Sequence, residues 1–107
     1  MLKKQKFGDW IKEMRINNEL PLRKVAAILD IDTSTLSKIE KGERHANKDM
    51  VKLLSVFFNQ DYEEMLVGYL SDKIAYELLE EDCSKTVLKV AEEKINYFKK
   101  NQVRSTI

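Results

Sequence analysis

Thr33, Ser34, Ser37 and Lys38 stand at helical spacing within "LPLRKVAAILDIDTSTLSKIEKGER", residues 20–44. Three hydroxyls and an ammonium on one side of a short helix make a face of small hydrogen-bonding groups with no acid among them. Such a face can enter the major groove of duplex DNA, about 12 Å wide, without steric or electrostatic penalty. The hydroxyls can donate to or accept from base edges, and Lys38 can bond guanine acceptors. The bland alternative is a solvated helix face whose hydroxyl residues favour the first turn. Periodicity alone does not choose between the two.

The elements that must carry this face follow from patterning. Phe7, Trp10, Ile11 and Met14 share one helical face and predict a helix over 6–18. Pro21 suits the first turn of a second helix, where a missing N–H costs nothing. Leu22, Val25, Ala26 and Leu29 then supply an inward stripe. The pattern breaks at Asp30-Ile31-Asp32. Aspartate tolerates left-handed backbone better than most residues, and Asp32 is a good N-cap for a third helix over 33–41. That helix has only Leu36 and Ile39 as apolar anchors, and Gly42 stops it. The N-terminal dipole of this helix favours a nearby phosphate, which Asp32 partly offsets. Asn47 can cap a fourth helix on Met50, Leu53, Leu54 and Phe57, and Asp61 a fifth that starts at Tyr62 and runs to about Glu81. In the fifth, Leu66, Leu70, Ile74 and Leu78 form a stripe that Met65, Tyr69, Tyr76 and Leu79 widen. Ser84 is read as the cap of a last helix carrying Leu88, Ala91, Ile95 and Phe98. Helix, short turn and a second helix with two inward residues make a helix-turn-helix. The fold class expected is all-α.

Composition narrows the classes. The 107 residues suit one domain with an appendage, and three glycines and one proline disfavour a many-turned β fold. No run approaches the roughly 18 apolar residues of a membrane span. The basic N-terminus lacks the apolar segment of a secretory signal, so a cytoplasmic location is expected. A single cysteine, Cys83, excludes an internal disulfide and is read as a small, partly buried apolar residue. Net charge is +1 but unevenly spread: +4 over residues 1–60, −7 over 61–82 and +4 over 83–107. The basic front and acidic middle suggest different work in the two parts.

From Phe7 to about Leu66 the chain resembles the Cro and phage-repressor type of helix-turn-helix domain, the xenobiotic-response-element family. The likeness lies in "WIKEMR", in residues 20–44, and in "MVKLLSVFF" followed by "DYEEML". In that family an arginine late in the first helix pairs with a glutamate near the end of the recognition helix, ahead of a glycine. Arg15, Glu40 and Gly42 stand at those positions. The resemblance implies a five-helix repressor-like DNA-binding domain over 1–66; residues 67–107 are read from their own patterning as a helical extension for dimerisation. It implies base contacts at Thr33, Ser34, Ser37 and Lys38, and phosphate contacts at Lys41, Arg44 and, near the start of the second helix, Arg23. His45, in the loop that follows, is read as a phosphate or solvent contact. Two departures stand out. Pro21 and Leu22 replace the hydroxyl residue and glutamine that often grip the backbone, and Asp30 replaces the usual turn glycine.

A lone helix-turn-helix unit reads few base pairs, so two copies are expected to place recognition helices about 34 Å apart on a pseudo-palindromic operator. The segment from Tyr62 to Asn101 has more apolar stripe than a five-helix core needs. Leu70, Ile74, Leu78, Leu88, Ile95 and Phe98 are therefore the expected homodimer interface; the alternative is that the last helix folds back on its own subunit. The chain leaves no room for an inducer-binding domain of the usual size. Regulation by concentration is then expected, with no small-molecule ligand, as in restriction-modification controller proteins. A catalytic role is not expected, because no nucleophile–base pair, glycine-rich phosphate loop or metal cluster stands out. No cofactor or metal is expected, since His45 and a distant Cys83 are too few ligands. The competing class is a helical protein-interaction module, or an antitoxin binding a protein partner. Such a module should expose apolar residues on the recognition face, where this chain has hydroxyls and a lysine.

Overall fold

A computed structural model describes residues 5–101. It contains six α-helices and, among the described residues, no strand: α1 (Phe7–Asn17), α2 (Leu22–Leu29), α3 (Thr33–Lys41), α4 (Lys48–Phe57), α5 (Tyr62–Leu78) and α6 (Ser84–Lys100). The all-α class read from the sequence is the class observed. The described residues fall into two compact units, divided between Ile74 and Ala75.

The first unit is built on one core. Phe7, Trp10, Ile11 and Met14 of α1, Val25, Ala26 and Leu29 of α2, and Leu36 and Ile39 of α3 are buried together. Val51 and Leu54 of α4 join them with Met65 and Tyr69 of α5. Phe7 packs in T-shaped fashion with Trp10 and Tyr69, with ring centroids 6.2 and 5.6 Å apart, an arrangement that suits the aromatic quadrupole.

Local chemistry fixes several helix ends. Asp32 accepts a 2.7 Å hydrogen bond from the Thr35 N–H, and Asn47 one of 2.9 Å from Met50. Asp61 accepts from the Glu64 N–H at 2.9 Å. Each satisfies an orphan donor of the first turn. At the other ends Asp30 (φ 55°) and Gly42 (φ 81°) turn left-handed. The following amides then reach back, Ile31 to the Ala26 carbonyl at 3.0 Å and Glu43 to that of Lys38 at 2.8 Å.

Several details differ from the expectations. Pro21 precedes α2 as its N-cap, in extended backbone, and not as its first helical residue. Cys83, not Ser84, is the N-cap of α6 and makes no capping bond there. Cys83 is also exposed, which corrects its reading as a partly buried residue. α5 ends at Leu78, short of Glu81. Its apolar residues also do not form one broad stripe. Met65, Gly68 and Tyr69 enter the core, whereas Val67, Leu70 and Ile74 lie on the solvent side.

α1 has no side-chain cap from its own segment. The Phe7 N–H donates instead to the Asp72 carboxylate of α5, at 2.7 Å, which places a negative charge at the positive end of α1. Gly8 lies against the end of α3. A Cβ there would strike the Ile39 carbonyl oxygen and come within 2.7 Å of that of Glu40. Backbone cannot move aside as a flexible side chain can. Gly8→Ala is therefore expected to cost about 1–3 kcal/mol by overpacking, read as a lower urea midpoint. A midpoint equal to the parent's would mean that α1 and α3 can separate freely, contrary to the contact described.

In the second unit, residues 75–101, no side chain of α6 is buried. Its apolar residues Val87, Leu88, Val90, Ile95, Tyr97 and Phe98 are all exposed. On a helical projection these fall on one half of the cylinder and the remaining charges fall largely on the other.

Candidate nucleic-acid interface

α3 carries the candidate site and is held by three elements of the sequence. Leu36 and Ile39 anchor it in the core, Asp32 fixes where it begins, and Gly42 fixes where it ends. Those two anchors, spaced three apart, leave the opposite side free. Thr33, Ser34 and Lys38 are exposed there, and Ser37 is half-buried. The structure thus leaves three of the four candidate base-reading residues exposed. Ser37 stands lower, lining a cleft of about 220 Å³ with Asp9, Lys12, Arg15, Leu22, Glu40 and Lys41.

The floor of that cleft is an ion pair. Arg15 Nε donates to Glu40 Oε2 at 2.8 Å and Nη2 to Oε1 at 3.0 Å, a planar two-bond fork. The third arm, Nη1, donates to the Leu20 carbonyl at 3.0 Å, so one guanidinium ties α1, the α1–α2 connection and α3 together. The side chains are only 12% and 5% exposed. The hydrogen bonds it donates to Glu40 raise the Arg15 pKa, burial opposes them, and the Glu40 charge adds to the rise. The guanidinium therefore stays charged, and its pairing with Glu40 leaves no unpaired acid beneath the exposed side of α3.

The remaining candidates are exposed. Arg23 lies at the start of α2, Lys41 at the end of α3 and at the cleft mouth, and Arg44 and His45 in the loop beyond. Hydrogen bonds from Thr35 hold the Asp32 carboxyl below the ordinary carboxylate range, and Arg44 and Lys38 lower it further by their charge. Lys38 and Arg44 thus share the electrostatic surroundings of the α3 N-terminus. Tyr69 of α5 donates its hydroxyl to the Ala46 carbonyl at 3.1 Å and so pins the loop that carries Arg44 and His45. Neither this tether nor Lys12, which lines the cleft beside Lys41, stands out in the sequence. Lys12 follows Asp9 and precedes Arg15 at helical spacing, a pattern that reads as an ordinary charged face.

The family model for helix-turn-helix proteins matches residues 11–65, just over half of the chain and all within the first unit. The chain belongs to the Cro/repressor-type helix-turn-helix family. The same chain finds no match among curated proteins or among solved structures. As a helix-turn-helix protein it is a DNA-binding regulator, and α3 is the second helix of the α2–turn–α3 unit. Among the described residues no helix is long and apolar enough to cross a membrane, and no group of three or more His, Cys, Asp or Glu could hold a metal ion.

Proposed function

We propose that this helix-turn-helix protein is a sequence-specific transcriptional regulator, working in the cytoplasm as a homodimer on a pseudo-palindromic operator. On this reading residues 1–66 bind DNA and 67–107 dimerise. The observation that carries it is the solvent-facing side of α3, where Thr33, Ser34 and Lys38 offer donors and no acid. Thr33, Ser34, Ser37 and Lys38 then read base edges, while Arg23, Lys41, Arg44 and His45 hold phosphates. Regulation by concentration at its own promoter, as in restriction-modification controllers, completes this reading.

Titration of the protein against the DNA upstream of its own gene, beside scrambled duplex of equal length at two salt concentrations, tests the reading. Tighter binding to the upstream DNA that survives the higher salt is expected, because base contacts add to the salt-sensitive phosphate term. Equal, weak binding to both duplexes that disappears together with salt removes autoregulation. A random-sequence selection that then enriches no motif removes sequence-specific binding and favours the protein-interaction reading.

The two kinds of contact separate by mutation. Lys38→Ala is expected to relax preference at one base position, at a cost of about 1–3 kcal/mol on the preferred site. Arg44→Ala is expected to weaken all duplexes alike and to lower the salt slope by about 1. Uniform losses across sequences for Lys38→Ala would make it a phosphate contact.

A further inference from the structure

The exposed side of α5 and the apolar half of α6 differ in charge, and the difference specifies how two copies meet. Val67, Leu70, Ile74 and Leu78 follow one another along the outer face of α5, and Leu70 and Ile74 are 39% and 49% exposed. Helical spacing sets Glu63 and Glu77 beside this stripe. α5 carries four acids against Lys73, a net −3. The apolar half of α6, with Val87, Val90, Leu88, Ile95 and Phe98, has Lys94 within it and Lys99 at its edge. α6 carries five lysines against two glutamates, a net +3. Glu63, Glu77, Lys94 and Lys99 are exposed and make no ion pair or hydrogen bond among the described residues.

Like pairing, α6 on α6 or α5 on α5, brings equal net charges together around a desolvated stripe. Unlike pairing sets Glu63 and Glu77 against Lys94 and Lys99, within helices of opposite net charge. Opposed potentials around an apolar centre fix which surfaces meet and suppress the wrong register. We propose that α6 of one copy seats on the outer face of α5 of a second copy, twice over about the two-fold axis. This reading rests on the homodimer proposed above and names its contacting surfaces. An isologous dimer built so contains each α5–α6 contact twice, and every charge change counts twice.

Two variants test it in the full chain. One carries Glu63→Lys and Glu77→Lys and turns α5 from −3 to +1; the other carries Lys94→Glu and Lys99→Glu and turns α6 from +3 to −1. All four sites are exposed, so the monomer fold is untouched, which circular dichroism checks. Sedimentation is expected to show each variant dimerising about tenfold more weakly than the parent, from two sets of surface charges per dimer. An equimolar mixture of the two should recover the parent's affinity within about threefold, because both α5–α6 contacts are again complementary in the mixed dimer.

Other outcomes overturn the proposal in distinguishable ways. Variants that dimerise more tightly than the parent indicate like pairing, since each change reduces the charge on its own helix. Variants that dimerise as the parent does mean that these charges lie outside the interface, with the dimer itself retained. A mixture that stays as weak as its components excludes pairing between copies through these faces. A parent that remains monomeric at every concentration removes the homodimer and this pairing together, leaving the basic apolar face of α6 to an acidic partner protein.

Discussion

Glu40→Ala is expected to destabilise the helix-turn-helix unit by about 3–5 kcal/mol, the usual consequence of stripping one member from a buried ion pair. The Arg15 guanidinium would keep its charge, lose two of its three hydrogen bonds, and stay in a site where its side chain is 12% exposed. It cannot escape by deprotonating: with Glu40 gone only burial acts on its pKa, downward, and a guanidinium is basic enough to keep its proton at any working pH. Such a loss is a large share of the roughly 5–15 kcal/mol that holds a domain folded. Replacing both partners at once, as Arg15→Met with Glu40→Leu, is expected to cost far less, because no charge is then stranded. The urea midpoints of the two single variants and the double variant decide the matter. A loss below about 1 kcal/mol for Glu40→Ala would show that water reaches the pair, as for surface bridges.

The same pair carries a consequence for DNA binding. Glu40 lies on α3 one residue before Lys41 and three after Ser37, both of which line the cleft above the fork. A swing of Arg15 or a fraying of the α3 C-terminal turn would move Ser37 and Lys41 together. The apolar double variant should therefore fold yet bind DNA less tightly than its stability alone requires, since nothing remains to orient α3 on α1 with the precision of a two-bond fork.

How much of this was legible in the sequence depends on where each signal lies. α3 runs over the expected residues because both of its ends carry local chemistry: an aspartate that caps and a glycine that turns left-handed. Asn47 and Asp61 mark α4 and α5 in the same way. Where the cap is remote the sequence is silent. α1 is capped by Asp72, sixty-five residues away, and no local pattern can announce that. Gly8 reads as an indifferent residue in an amphipathic helix, since its requirement comes from the Ile39 and Glu40 carbonyls. The cap at Cys83 falls in "EEDCS", just beyond the early end of α5 at Leu78, where polar residues offer several equivalent breaks. At the candidate interface, residue types gave the hydroxyl face, but the half-burial of Ser37 depends on how α1 and α2 pack beside it.

The double substitution Ile95→Asp with Phe98→Asp is expected to produce a monomer and to lower operator affinity by about a hundredfold to ten-thousandfold. Within a dimer the second recognition helix binds its half-site intramolecularly, at an effective concentration set by the tether and not by the solution. A monomer forfeits that gain and must occupy each half-site alone. Two carboxylates at these positions would otherwise be buried without partners, which no apolar interface tolerates. Ile95 and Phe98 are 51% and 40% exposed, so the change should leave the helical content of the chain intact. Mass in solution and operator affinity are therefore expected to fall together while circular dichroism stays constant. A monomer that binds a single half-site duplex as the parent does, yet loses the full operator, would place the defect in dimerisation and not in α3. An unchanged dimer would remove α6 from the interface and return attention to the first unit. There α4 exposes Leu53, Val56 and Phe57 at helical spacing, with Val56 71% in solvent, as the next apolar face available to a second copy.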